Sequence, residues 1–233
     1  MQETALSLIE EQDIFAAIQY LCQQPDPQAV SDQFHSLIRH FYWKKKEMNR
    51  VVALAHAGIT YALTAATATP DAEAATKLRS VAKAISYDLA SFTWDGWAEP
   101  GIVLTETHLA FGLEAARANL RLAQELNKGD LPLSRAYWMV GAQEISAKEY
   151  KAAYEHFVEA MRYARAAGVY SEELLARGFG CLAQLVPNAD NEPVDEELAA
   201  IQKELEGVED GNAFNEQLNN AYIVFIGVAE PRP

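Results

Sequence analysis

Cysteine is nearly absent from this chain of 233 residues: Cys22 and Cys181 are the only two, far apart in sequence and without a CxxC pair. That excludes a disulfide framework and fits a reducing, cytoplasmic compartment, with both thiols expected as inert core residues. Basic charge is scarce too. Nineteen Lys and Arg face thirty-three Asp and Glu, a net charge of −14, so the whole molecule repels polyanions and nucleic acid is not expected as a partner. No apolar run approaches the roughly 20 residues of a membrane span, and Met1-Gln2-Glu3-Thr4 carries no basic leader, so neither membrane insertion nor secretion is expected. The longest apolar run, residues 221–228, is expected as a buried terminal element. Strand signals are missing as well, because β-branched alternation is almost absent and neither Asp95-Gly96 nor Asp210-Gly211 stands between alternating runs as a hairpin turn would.

What the chain does have is a 3.6-residue apolar period almost throughout, which predicts an all-α fold of about ten helices. The first is expected over about 3–23, with Leu8, Phe15, Ile18 and Cys22 on its apolar stripe, and is stopped by Pro25-Asp26-Pro27. The second carries Phe34, Leu37, Ile38 and Phe41 at helical spacing. Helices follow at about 47–68 and to about 91, with Thr69 as N-cap and Pro70 as first residue of the latter. A fifth bears Leu109, Leu113, Ala116, Leu120 and Ala123 and is closed by Asn127-Lys128-Gly129. The rest lie at about 132–146, 148–167, 171–186, 194–206 and 212–227, and the very short turn near Ser146-Ala147 makes its two flanking helices antiparallel neighbours. No linker is long enough to separate independent domains, so one domain over 1–233 is expected, comprising 1–94, a centre at 95–187 and an acidic end at 188–233. That end holds eleven acidic groups against Lys203 and Arg232, a local balance of −9.

Charge of the other sign gathers in one place, Lys44-Lys45-Lys46 with Arg50, directly after Phe41-Tyr42-Trp43. Nucleic-acid and anionic-lipid sites share this composition, but lysines in a last helical turn also complement the helix dipole, and that reading is preferred. Catalytic and metal signatures are missing. His35 and His40 point about 140° apart on an ideal helix, there is no HExxH, and Gly178-Phe179-Gly180 lacks the lysine and hydroxyl residue of a phosphate-binding loop. Asp190, Glu192, Asp195, Glu196 and Glu197 crowd a helix start without calcium-loop spacing. No enzyme activity, cofactor or metal is expected.

Within 134–167, Tyr137, Val140, Gly141, Tyr150, Ala153, Phe157 and Ala160 alternate large and small side chains at positions typical of the tetratricopeptide repeat, a 34-residue helix–turn–helix unit that this segment resembles. Small residues let two helices approach while aromatics fill the space around the crossing. Glu144 stands where the family has an aromatic residue and Arg165 where it has proline. The resemblance implies an α–α hairpin solenoid with a right-handed superhelical path, degenerate outside the one good unit. It further implies a groove lined here by Arg135, Trp138, Ala142, Ile145 and Ser146, taking a peptide segment from a protein partner; the negative charge favours a basic or apolar one. Mid-helix glycines at Gly58, Gly112, Gly141 and Gly178 are read as close helix contacts. The alternative reading is a ligand-sensing domain in which the loop bearing Phe92, Trp94 and Trp97 closes over a small apolar molecule.

Overall fold

The computed structural model describes residues 1–227, and among them the chain is all-α: eleven α-helices, consecutive ones packing as hairpins. In chain order they are α1 (Gln2–Glu11), α2 (Ile14–Cys22), α3 (Pro27–His40), α4 (Met48–Ala68), α5 (Ala72–Phe92), α6 (Glu106–Glu125), α7 (Asp130–Ser146), α8 (Tyr150–Ala167), α9 (Tyr170–Leu185), α10 (Glu192–Leu205) and α11 (Gly211–Phe225). A π-helical turn, Phe41–Lys45, extends α3, and a single 3₁₀ turn, Asp95–Trp97, follows α5.

The chain forms two compact units, where the sequence suggested three stretches of one domain. The first comprises Met1–Thr93 and Gly101–Leu126; the second comprises Trp94–Pro100 and the described residues from Asn127 onward. In the first, α3 packs on α4 and α5, and α6 returns along α5. The expected stripe of α3 is its core face, since Phe34, Leu37, Ile38 and Phe41 are all fully buried. By length and composition α4 could cross a membrane, against the expectation of no such run. Its face bearing Val51, Leu54, Ala55, Gly58 and Ala62 is buried in this unit. In the second unit α7 pairs with α8, α8 with α9, α9 with α10, and α11 packs on α9 and the 3₁₀ turn.

Several local expectations change. The first helix is two, because the Asp13 carboxylate accepts the Ala16 N–H at 2.8 Å and so caps a new helix start. The break rotates the buried stripe to Ala5, Ile9, Ala17 and Leu21, leaving Phe15 and Cys22 exposed. Cys22 is therefore not a core residue. The N-cap of α5 is Asp71, which takes the N–H groups of Glu73 and Ala74, while Thr69 closes α4. The terminal apolar run is only partly buried: Ala221 is inside, Ile223 and Val224 are exposed, and Val228 lies outside the described residues.

Candidate functional site

The residues expected to line a groove on α7 lie mostly inside the second unit. Ten of the seventeen residues of α7 are buried, including every one from Trp138 to Ile145, and eight consecutive positions cover all directions around a helix axis. Trp138 is 5 % exposed, set edge-on against Phe179 at 5.0 Å and against Trp94 at 5.6 Å. Its indole N–H finds no acceptor. Ala142 and Ile145 are equally enclosed. Only the two ends of the set reach solvent: Arg135 donates at 2.7 Å to the buried carboxylate of Glu172, and the Ser146 hydroxyl donates to Asp95 at 2.5 Å. The α7 face is thus core, because helix periodicity shows that a face is apolar but not what covers it.

The aromatic loop is likewise internal rather than a lid. The Trp94 indole N–H donates to the Ala142 carbonyl at 2.9 Å, and its ring meets Trp97, Trp138, Phe179 and Phe225. Trp97 is half-buried on the same cluster. Phe92 belongs to the first unit, where it stacks on Tyr42 at 3.8 Å.

The α7–α8 hairpin packs as its large–small pattern requires. A Cβ on Gly141 would lie 2.9 Å from the Phe157 ring and 3.1 Å from the Ala153 carbonyl oxygen, so glycine sets the closest approach of the two helices. Val140, Ala153, Phe157 and Ala160 are buried, the Ser134 hydroxyl donates to the Ala160 carbonyl at 2.8 Å, and Tyr137 stacks on Tyr163. Tyr150 opens α8 at a half-buried position. Glu144, the misfit in the repeat pattern, is buried with its carboxylate 2.7 Å from His156 Nδ1 on α8. A hydrogen bond across the hairpin stands where an aromatic contact would be.

An open groove with a mixed polar and apolar lining does exist in this unit, formed by α8, α9 and α10. On α8, Tyr154 and Val158 are 42 % and 38 % exposed, with Met161 one turn further along the same wall. Ala176, Gly180 and Gln184 form the facing wall on α9, over a floor that includes Phe157 and Cys181. Gly180 keeps this wall low: a Cβ there would meet nothing nearer than the Tyr154 ring at 3.8 Å. The cavity holds about 150 Å³, a volume that in an engineered apolar cavity accepts a benzene ring. At its rim the Arg177 guanidinium donates twice to Glu197, at 3.0 and 2.8 Å. Burial pushes the Cys181 thiol up to about 12, with Glu197 adding to the effect and Arg177 opposing it. The thiol is protonated at neutral pH and is a poor nucleophile.

The groove's sequence signal is a second apolar stripe on α8, Tyr154, Val158 and Met161, beside the core stripe Ala153, Phe157 and Ala160. Among the described residues no three His, Cys, Asp or Glu side chains gather as a bound metal would need. No model of a known protein family matches the chain, and comparison with curated proteins finds no match either.

Proposed function

We propose that the chain is a non-enzymatic protein-interaction module of tetratricopeptide-like helical hairpins, whose α8–α9–α10 groove takes one bulky apolar side chain from a partner segment that carries basic residues beside it. The observation that carries this reading is the exposure of Tyr154 and Val158 on the wall of a cavity of about 150 Å³. Large apolar side chains lining a concave surface gain most when a partner side chain displaces water from it.

Charge supplies the second half. Helix α10 bears five acidic residues and one lysine, and Glu197 and Glu204 answer to Arg177 and Tyr170 across exposed contacts. Exposed ion pairs of this kind contribute about 0–1 kcal/mol, so a partner's Lys or Arg can take over Glu197 at small cost. The reducing, cytoplasmic setting that the cysteine content favours belongs to the same proposal.

Fluorescence anisotropy with a labelled amphipathic peptide of leucine, phenylalanine and lysine tests the reading. The native chain binds it, and both Tyr154→Ala and Val158→Arg weaken binding by roughly tenfold, the effect of losing a central interface contact, without lowering the unfolding temperature. Equal affinity in all three proteins contradicts the groove assignment.

A further inference from the structure

The strongest concentration of positive charge on this acidic chain lies in the first unit, on the turn that ends α3. Four of its nineteen basic residues, Lys44, Lys45, Lys46 and Arg50, fall within seven positions. The π-helical turn buries Phe41 and Tyr42 and turns Trp43 outward, 50 % exposed. Such wide turns recur at functional positions in helices. Trp43 is not a loose side chain: its ring stands edge-on to Tyr42 at 4.7 Å and to Phe92 at 5.9 Å, behind which Tyr42 and Phe92 stack. Lys46, in left-handed backbone conformation, sets its Nζ 5.4 Å from the Tyr42 ring centre and 5.6 Å from that of Trp43.

Three of the cations around this rigid aromatic, Lys44, Lys45 and Arg50, are held weakly enough to exchange partners. Lys44 makes no ion pair among the described residues. Lys45 lies 3.5 Å from Glu10 with both side chains exposed, and Arg50 pairs with the neighbouring Glu47, contacts of a kind worth little in water. Beside them, the exposed Val103 lines with Lys46, Asn49, Arg50 and His108 a shallow depression of about 510 Å³. An ordered, half-exposed tryptophan with an arginine and a second apolar side chain beside it has the composition of an interface centre, and the lysines around it have that of a polar rim.

We propose that this patch is a second docking surface, of opposite charge to the α8–α9–α10 groove, and that it takes a short acidic peptide segment bearing an apolar side chain that packs on Trp43. A short segment is favoured over an extended polyanion by electrostatic range. With a Debye length of about 8 Å at physiological salt, a short acidic segment feels mainly the local cations. An anionic bilayer or a nucleic acid spans far enough to meet the rest of a chain whose net charge is −14. The patch is independent of the groove, so either can fail alone.

The test uses the full chain and a fluorescein-labelled peptide in which glutamates alternate with leucine and phenylalanine. Saturable binding that weakens as salt rises is expected. Trp43→Ala, and separately the pair Lys44→Glu and Lys45→Glu, each weaken it by roughly tenfold or more, whereas Val158→Arg leaves it unchanged. These positions are solvent-exposed, and far-ultraviolet circular dichroism confirms that the variants fold. Absence of saturable binding, or binding insensitive to both patch variants, overturns the proposal. So does retention by phosphatidylserine vesicles that depends on Trp43 while the peptide is ignored, which assigns the patch to a membrane surface. Self-association abolished by Lys44→Glu assigns it to a second copy and overturns the proposal equally.

Discussion

Two glycines on neighbouring helices of the second unit respond in opposite ways to the same added methyl group. Replacing glycine by alanine inside a helix gains about 1 kcal/mol from backbone entropy and propensity when the Cβ has room. At Gly180 it has room, the nearest atoms being the Tyr154 ring at 3.8 Å and the Phe157 Cβ at 3.9 Å. Gly180→Ala therefore stabilises by roughly the full propensity difference of about 1 kcal/mol. At Gly141 the Cβ falls 2.9 Å from the Phe157 ring and 3.1 Å from the Ala153 carbonyl oxygen. The oxygen belongs to the backbone of α8, and Phe157 is itself fully buried against Phe179, so relief requires α7 and α8 to move apart. Overpacking of this kind costs about 1–3 kcal/mol, and with a backbone atom among the close contacts the upper part of that range applies, so that after the propensity gain Gly141→Ala is destabilised by up to about 2 kcal/mol. Unfolding followed by far-ultraviolet circular dichroism places the two midpoints on either side of the native value, at roughly 2–4 °C per kcal/mol for a chain of this size. Midpoints displaced in the same direction would refute the claim that Gly141 marks a close crossing and Gly180 a position with room for a side chain.

His108 makes the first unit sensitive to acid. Its Nδ1 accepts the Thr105 N–H and its Nε2–H donates to Asn49, an arrangement only the neutral ring can make, and burial lowers its pKa below the ordinary 6.5. The stabilisation is complete above the unfolded value and is lost as pH falls through the lower folded one. The unfolding midpoint thus drops on acidification below about pH 6.5, and His108→Gln flattens that drop, with His56, also lowered by burial, supplying a remainder. An unchanged slope in the variant contradicts the capping role. The two thiols separate in a maleimide reaction followed by intact mass: Cys22, exposed at the end of α2, is modified in the native chain, whereas buried Cys181 reacts only after denaturation. Equal reaction of both under native conditions contradicts the closed floor of the groove.

Fold class was legible because the signals for it are local. The Pro25-Asp26-Pro27 stop, the stripe Phe34, Leu37, Ile38, Phe41 and the short turn after Ser146 depend on residues within a few positions of one another, and α3, α7 and α8 lie where these put them. Asp13 shows the limit of such reading. One carboxylate accepting one N–H divides an apolar stretch that looks continuous, and the stripe rotates with it. Site residues were harder, because exposure is decided by what packs on top. Trp138 belongs to an apolar helix under either reading, and only its ring contacts with Trp94 and Phe179 show it enclosed. Tyr154 and Val158 belong to a second apolar stripe of α8 whose exposure its periodicity does not reveal, and only the absence of a side chain at Gly180 leaves them lining an opening. Glu144 read as a defect in a repeat until His156, twelve residues on, accounted for it.

The groove between α8, α9 and α10 is tested most directly by methyl nuclear magnetic resonance of the full chain titrated with the lysine-containing amphipathic peptide. Shifts concentrated at Val158, Met161 and Ala176, with Val103 unmoved, are the expected result. Shifts spread evenly over both units, or confined to methyl groups outside the groove, would contradict it.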